Sequence, residues 1–163
     1  MRKVLLITTI LLLLVSLPSL FAEDIEDIIR KLEDNALQVH ITARVKQKNN
    51  VSVWHMDISK VTISGKTVNV KLKGDDILVY ANITPYAKSK NSILLVAQGQ
   101  VWITSPNSKN VEYTSTIKSL PITTGEKVLF YPLGVATPTD NNHYLIELEI
   151  QVTPYSSDKS VEE

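Results

Sequence analysis

The sequence predicts a mainly β fold, an antiparallel β-sandwich of Ig-like or Greek-key type, with one short N-terminal amphipathic helix after a signal peptide. Three observations carry that expectation. Short runs of alternating apolar and polar residues fill most of the chain beyond residue 36, turn residues punctuate them at fairly regular intervals, and no helical period lies between them. Two near-continuous apolar runs, Ile77 to Ile83 and Ile93 to Ala97, favour two packed sheets over a closed barrel, whose strands alternate more uniformly.

Residues 1–22, MRKVLLITTILLLLVSLPSLFA, place Arg2 and Lys3 before an apolar stretch from Val4 to Val15 and end in a small residue, Ala22. That order is the signature of a secretory signal peptide, with Pro18 breaking the apolar helix near the expected cut after Ala22. The uninterrupted apolar run is short for a membrane anchor, so no membrane span is expected after cleavage. The expected destination is therefore periplasmic or extracellular. Residues 23–36 carry Ile25, Ile28, Ile29, Leu32 and Ala36 at helical spacing, with acids early and Arg30 and Lys31 later, as the helix dipole favours. The stripe Ile25, Ile28, Ile29 and Leu32 is the expected partner-binding surface, if it does not pack on the domain that follows.

The sandwich is expected over residues 37–155. Leu37, Val39, Ile41, Ala43 and Val45 alternate with polar residues, a half-buried strand. In the next run Val51 and Val53 lie on one parity and Trp54, Met56 and Ile58 on the other, which predicts a bulge near Trp54 or burial on both faces. Ser64-Gly65-Lys66 reads as a tight hairpin between Val61 to Ile63 and Val68 to Leu72. The two near-continuous runs read as central strands, and Gly99 within the second predicts a bend or a close backbone approach. Val111, Tyr113, Ser115 and Ile117 alternate before Pro121, which implies an edge strand or a strand end. Val128 to Leu133 forms a short strand, and Tyr144, Ile146, Leu148, Ile150 and Val152 form the clearest inward face, with Glu147 and Glu149 facing water. Residues 156–163 read as a disordered tail.

Composition excludes several classes of function. The 163 residues balance 17 bases against 17 acids, and residues 23–163 retain 15 bases against 17 acids, a net charge of −2. No basic stripe suits nucleic acid, so none is expected as a partner. With no cysteine, disulfides, thiolate nucleophiles and Cys-ligated metals are impossible. His40, His55 and His143 form no locally spaced pair, and the loops at Asp75-Asp76 and at residues 137–142 lack calcium-loop spacing, so neither metal nor cofactor is expected. No G-x-S-x-G elbow is present. Among the carboxylates Asp57, Asp75, Asp76, Glu112, Glu147 and Glu149, Asp57 is the most interesting, because it lies between Met56 and Ile58, where an unpaired carboxylate would have a raised pKa. The plainer reading puts it on the outward face of its strand.

These absences lead to a non-catalytic exported protein, a structural or protein-interaction module of the cell envelope or periplasm with a possible envelope protein partner. The alternative is a domain that binds a glycan or small ligand through aromatics. Trp54, Trp102 and Tyr86 are the candidates, although the parity of Trp102 with Leu94 and Val96 suggests a core position.

Overall fold

A computed structural model describes residues 19–47, 52–104, 110–134 and 144–155. The expected signal segment up to Pro18, the turn at residues 48–50, His143, the loop at residues 136–142 and the tail at 156–163 lie outside the described residues. Contacts divide the chain into two units, Met1–Asn35 and Ala36–Glu163.

The first unit contains helix α1, Ser19–Asp34. It begins before the expected residue 23, so Glu23, Asp24, Glu26 and Asp27 do not occupy its first turn. The chain leaves the helix where Asn35 donates its side-chain amide to the Lys31 carbonyl at 2.7 Å, satisfying an acceptor that the last turn leaves open. Ala36, expected in the helix, starts the first strand instead. Ile25, Ile28, Ile29 and Leu32 are each at least 50% exposed. No described helix is long and apolar enough to cross a membrane.

The second unit is a sandwich of two antiparallel four-stranded sheets. Its strands are β1 (Ala36–Gln47), β2 (Ser52–Ile63), β3 (Val68–Lys73), β4 (Ile77–Ser89), β5 (Ser92–Thr104), β6 (Val111–Thr123), β7 (Lys127–Phe130) and β8 (Tyr144–Pro154). Sheet A has the order β2-β1-β8-β7 and sheet B the order β3-β4-β5-β6. Sheet B is thus a meander, while β8 returns between β1 and β7. Period-2 alternation places the core where the pattern predicts it: Val39, Ile41, Ala43, Ile146, Leu148, Ile150 and Val152 of sheet A are fully buried, as are Val79, Ala81, Ile83, Leu95 and Ala97 of sheet B.

Several local expectations meet specific outcomes. The bulge near Trp54 is present, since Val45 pairs with Trp54 but Lys46 pairs with Ser52. Ser64-Gly65, expected to close a hairpin, instead carries the chain from sheet A to sheet B. Strand β2 pairs with β1 and β3 with β4, each as a terminal strand of its own sheet, and Gly65, at a φ of 80°, donates its N–H to the Pro85 carbonyl of β4 at 2.7 Å, which ties the chain to sheet B at this point. Strand β4 continues through Thr84-Pro85-Tyr86, and Pro85 pairs with Leu95. Beyond Ile83 the neighbouring β3 has ended, so proline interrupts no ladder on that side. Pro121, by contrast, lies in the edge strand β6 as expected.

Candidate functional site

Two outward faces concentrate polar and aromatic chemistry. On sheet A the register places Thr42 opposite both Asp57 of β2 and Glu149 of β8, and Arg44 opposite both His55 and Glu147. Thr42 donates its hydroxyl to Asp57 Oδ1 at 2.6 Å, His55 Nε2 lies 3.0 Å from Asp57 Oδ2, and His40 Nε2 stands 4.0 Å from Oδ1. Arg44 donates to Glu147 at 2.8 Å and lies 3.6 Å from Glu149, which also accepts from Lys127 at 2.9 Å. The row runs across the whole sheet, from β2 to β7.

Asp57 occupies the outward face, with 53% of its side chain exposed, and its pKa is lowered from the ordinary 3.8. The Thr42 hydroxyl is the main cause; burial opposes it, and His55, then His40, add to it. The carboxylate stands directly between hydroxyl and imidazole, whereas a nucleophilic triad needs the imidazole between the other two. Asp75 and Asp76 belong to the turn before β4 in sheet B, so they do not share a face with Asp57. Among the described residues no group of His and acidic side chains could hold a metal ion. Glu147 and Glu149 face the bases of neighbouring strands as their spacing suggests, but β8 is internal and they guard no sheet edge.

The cluster therefore acts on stability. Lys127, then Arg44, likewise holds the Glu149 carboxyl below its ordinary 4.5. Carboxyls with depressed folded-state values stabilise the fold above their unfolded pKa and lose that contribution as the pH falls through the folded value. The thermal unfolding midpoint should accordingly decline below about pH 4.5, where these groups begin to protonate in the unfolded chain but not yet in the folded one. Asp57→Asn should lower the midpoint at pH 6 and shrink the acid decline. Circular-dichroism melts from pH 2 to 7 would check both, and an unchanged acid slope in the variant would remove Asp57 from the account.

The outward face of sheet B is different. Trp102 pairs laterally with Leu78 on β4 and Tyr113 on β6, and Tyr80 stands one step along on the same face. The Tyr80 and Trp102 rings meet edge to face at 5.7 Å and 86°, and Trp102 and Tyr113 meet at 5.0 Å and 42°. Both are favourable offset geometries for aromatic rings. Lys71 sits 5.2 Å from the centre of the Tyr80 ring, leaving Trp102 and Tyr113 as the more open faces. Asn82, Gln98 and Gln100 are half-buried on the same side. Next to Trp102 an open hollow of about 380 Å³ is lined by Lys71, Lys73, Asp75, Asp76, Leu78 and Thr104. Within its lining the Asp76 carbonyl accepts from the Thr104 N–H at 2.8 Å.

The aromatic candidates are thereby separated. Trp54 turns inward on β2 and packs, partly buried, against the core. Trp102 is half-buried on the outer face and not in the core as its parity with Leu94 and Val96 suggested; Gln98 and Gln100 share that parity and are the better guide to it. Tyr86 is 44% exposed on the same face but pairs with Leu94 at the far end of β4, away from Trp102. Tyr80 and Tyr113, the partners of Trp102, were not separable from core tyrosines in sequence, because adjacency across three strands depends on register. Comparison with family models, curated proteins and solved structures finds no match to this chain.

Proposed function

We propose that this chain is an exported, non-catalytic β-sandwich that binds a glycan on the outer face of sheet B. The reading rests on one observation: Trp102, flanked by Tyr80 and Tyr113, forms one wall of a hollow and has the side-chain amides of Gln98, Gln100 and Asn82 on the same face. Aromatic rings offer apolar faces to the C–H faces of a pyranose, while amides can both donate to and accept from its hydroxyls. The hollow falls within the usual range of about 300–1,000 Å³ for small-ligand sites. Export is supported by the charge and apolar order of residues 1–22. The interaction-module expectation keeps the exposed stripe of α1 as its support, but that stripe selects no chemistry of partner.

Two tryptophans are present, so a Trp54→Phe chain reports on Trp102 alone. Titration with neutral, acidic and amino oligosaccharides should give a saturable change in its emission for at least one of them. Trp102→Ala should then weaken that ligand at least tenfold by calorimetry, about 1.4 kcal/mol, with the unfolding transition still cooperative. A flat response across all three groups of sugars would overturn the proposal.

A further inference from the structure

Strand β6 ends sheet B, and the hydrogen-bonding edge turned away from β5 has no partner strand among the described residues. Of the other terminal strands, β3 and β7 have only 6 and 4 residues, and β2 carries Lys60 at an inward-facing position; β6 also carries charges at inward-facing positions, Glu112 opposite Ile103 and Lys118 opposite Ala97, but these two are opposite in sign and Pro121 lies beyond them. Strand β6 is 13 residues long and presents Tyr113 and Ile117 outward, the latter 67% exposed. Its residues 112–118, Glu-Tyr-Thr-Ser-Thr-Ile-Lys, are chemically symmetric about Ser115. We propose that β6 pairs antiparallel with β6 of a second copy of this chain, with Ser115 on the two-fold axis.

In that register Glu112 faces Lys118 of the other copy, Tyr113 faces Ile117, and Thr114 faces Thr116, each pair occurring twice. These are the three kinds of cross-strand pair that stabilise antiparallel sheets: opposite charges, an aromatic with a β-branched residue, and two threonines. Glu112 and Lys118 are exposed and have no ion-pair partner among the described residues, so both are available. Paired residues share parity, which keeps outer face with outer face. The contact is isologous and closes at a dimer. A different partner strand would have no reason to match a sequence symmetric about its own centre, and this self-complementarity selects a second copy over an unrelated chain. The two sheets B then form one continuous sheet carrying both Trp102 faces, a consequence that does not depend on what those faces bind.

Charge exchange and cross-linking test the register. Sedimentation should show a concentration-dependent dimer. Glu112→Lys and Lys118→Glu should each weaken it at least tenfold by placing like charges opposite one another, and the double exchange should restore it. The chain has no cysteine, so introduced thiols report cleanly. Directly opposed residues lie about 4.5–5.5 Å apart between Cα atoms, within disulfide reach. Ser115→Cys should therefore oxidise to a covalent dimer, whereas Ser119→Cys, on the same face but opposite Val111 in this register, should not. A monomer at all concentrations, a dimer indifferent to the charge exchange, or equal cross-linking at both serines would overturn the proposal.

Discussion

Phe130→Ala is expected to destabilise the sandwich by about 3–5 kcal/mol, the range for truncating a buried phenylalanine. Phe130 is fully buried and heads the fully buried side chains by size. It ends the 4-residue strand β7, whose register pairs it with Leu148 of β8. A strand so short has few ladder bonds of its own, so the side chains it inserts, Phe130 and the partly buried Val128, matter more to its attachment. Small domains are stable by only about 5–15 kcal/mol, and the variant should be near the edge of folding at physiological temperature. Urea unfolding followed by far-ultraviolet circular dichroism measures the effect. Phe130→Leu, which retains most of the apolar volume, should lose clearly less. Equal losses would mean that ring shape, and not buried volume, is what the site requires.

Gly99→Ala should be the second most damaging single change, about 1–3 kcal/mol, even though it adds only a methyl group. In an open strand the same substitution would be favourable, since glycine is usually the weaker strand residue. Here the added Cβ would lie 2.7 Å from Pro132 Cβ, 2.8 Å from Pro132 Cα and 3.3 Å from Phe130 Cε1. The nearest atoms belong to a proline ring and its backbone, which cannot rotate away as the end of a long side chain can. Either the two sheets separate locally or the turn after β7 shifts. Because Pro132 is the closest neighbour, combining Gly99→Ala with Phe130→Leu should not rescue stability. A stabilised Gly99→Ala variant would show that the two sheets can part at this point at little cost.

Both sites show how far local pattern reaches. Gly99 in the middle of an apolar run announces a close approach, because a strand gains nothing from glycine unless something must come near. What approaches it is invisible, since Pro132 comes from the turn after β7, across a connection whose route alternation does not encode. The same limit governs the hairpin expected at Gly65. Its turn residues are correct for a reversal, but whether the strands on either side pair or part is decided by which sheet each one joins, β2 beside β1 and β3 beside β4. Strand β6 marks the limit most plainly. The alternation of Val111, Tyr113, Ser115 and Ile117 is present, yet its apolar members point outward, because the register with β5 aligns Tyr113 with Trp102 and Ile117 with Gln98.

The candidate site divides in the same way. The outward position of Asp57 and the pairing of Glu147 and Glu149 with neighbouring bases follow from strand parity and charge. The aromatic row does not, because three rings from three strands meet only once the register is set.

Sequence alone was enough for the fold class, the two-sheet core and the inward faces of β1 and β8, because a period of two assigns side chains to faces one strand at a time, whereas the near-continuous runs of β4 and β5 carry no such period. Tertiary structure alone decided strand order, the crossing at Gly65, the exposure of Trp102 and the open edge of β6. Those depend on which strands become neighbours, and many arrangements bury the same alternating residues equally well, so contacts between distant segments have to make the choice.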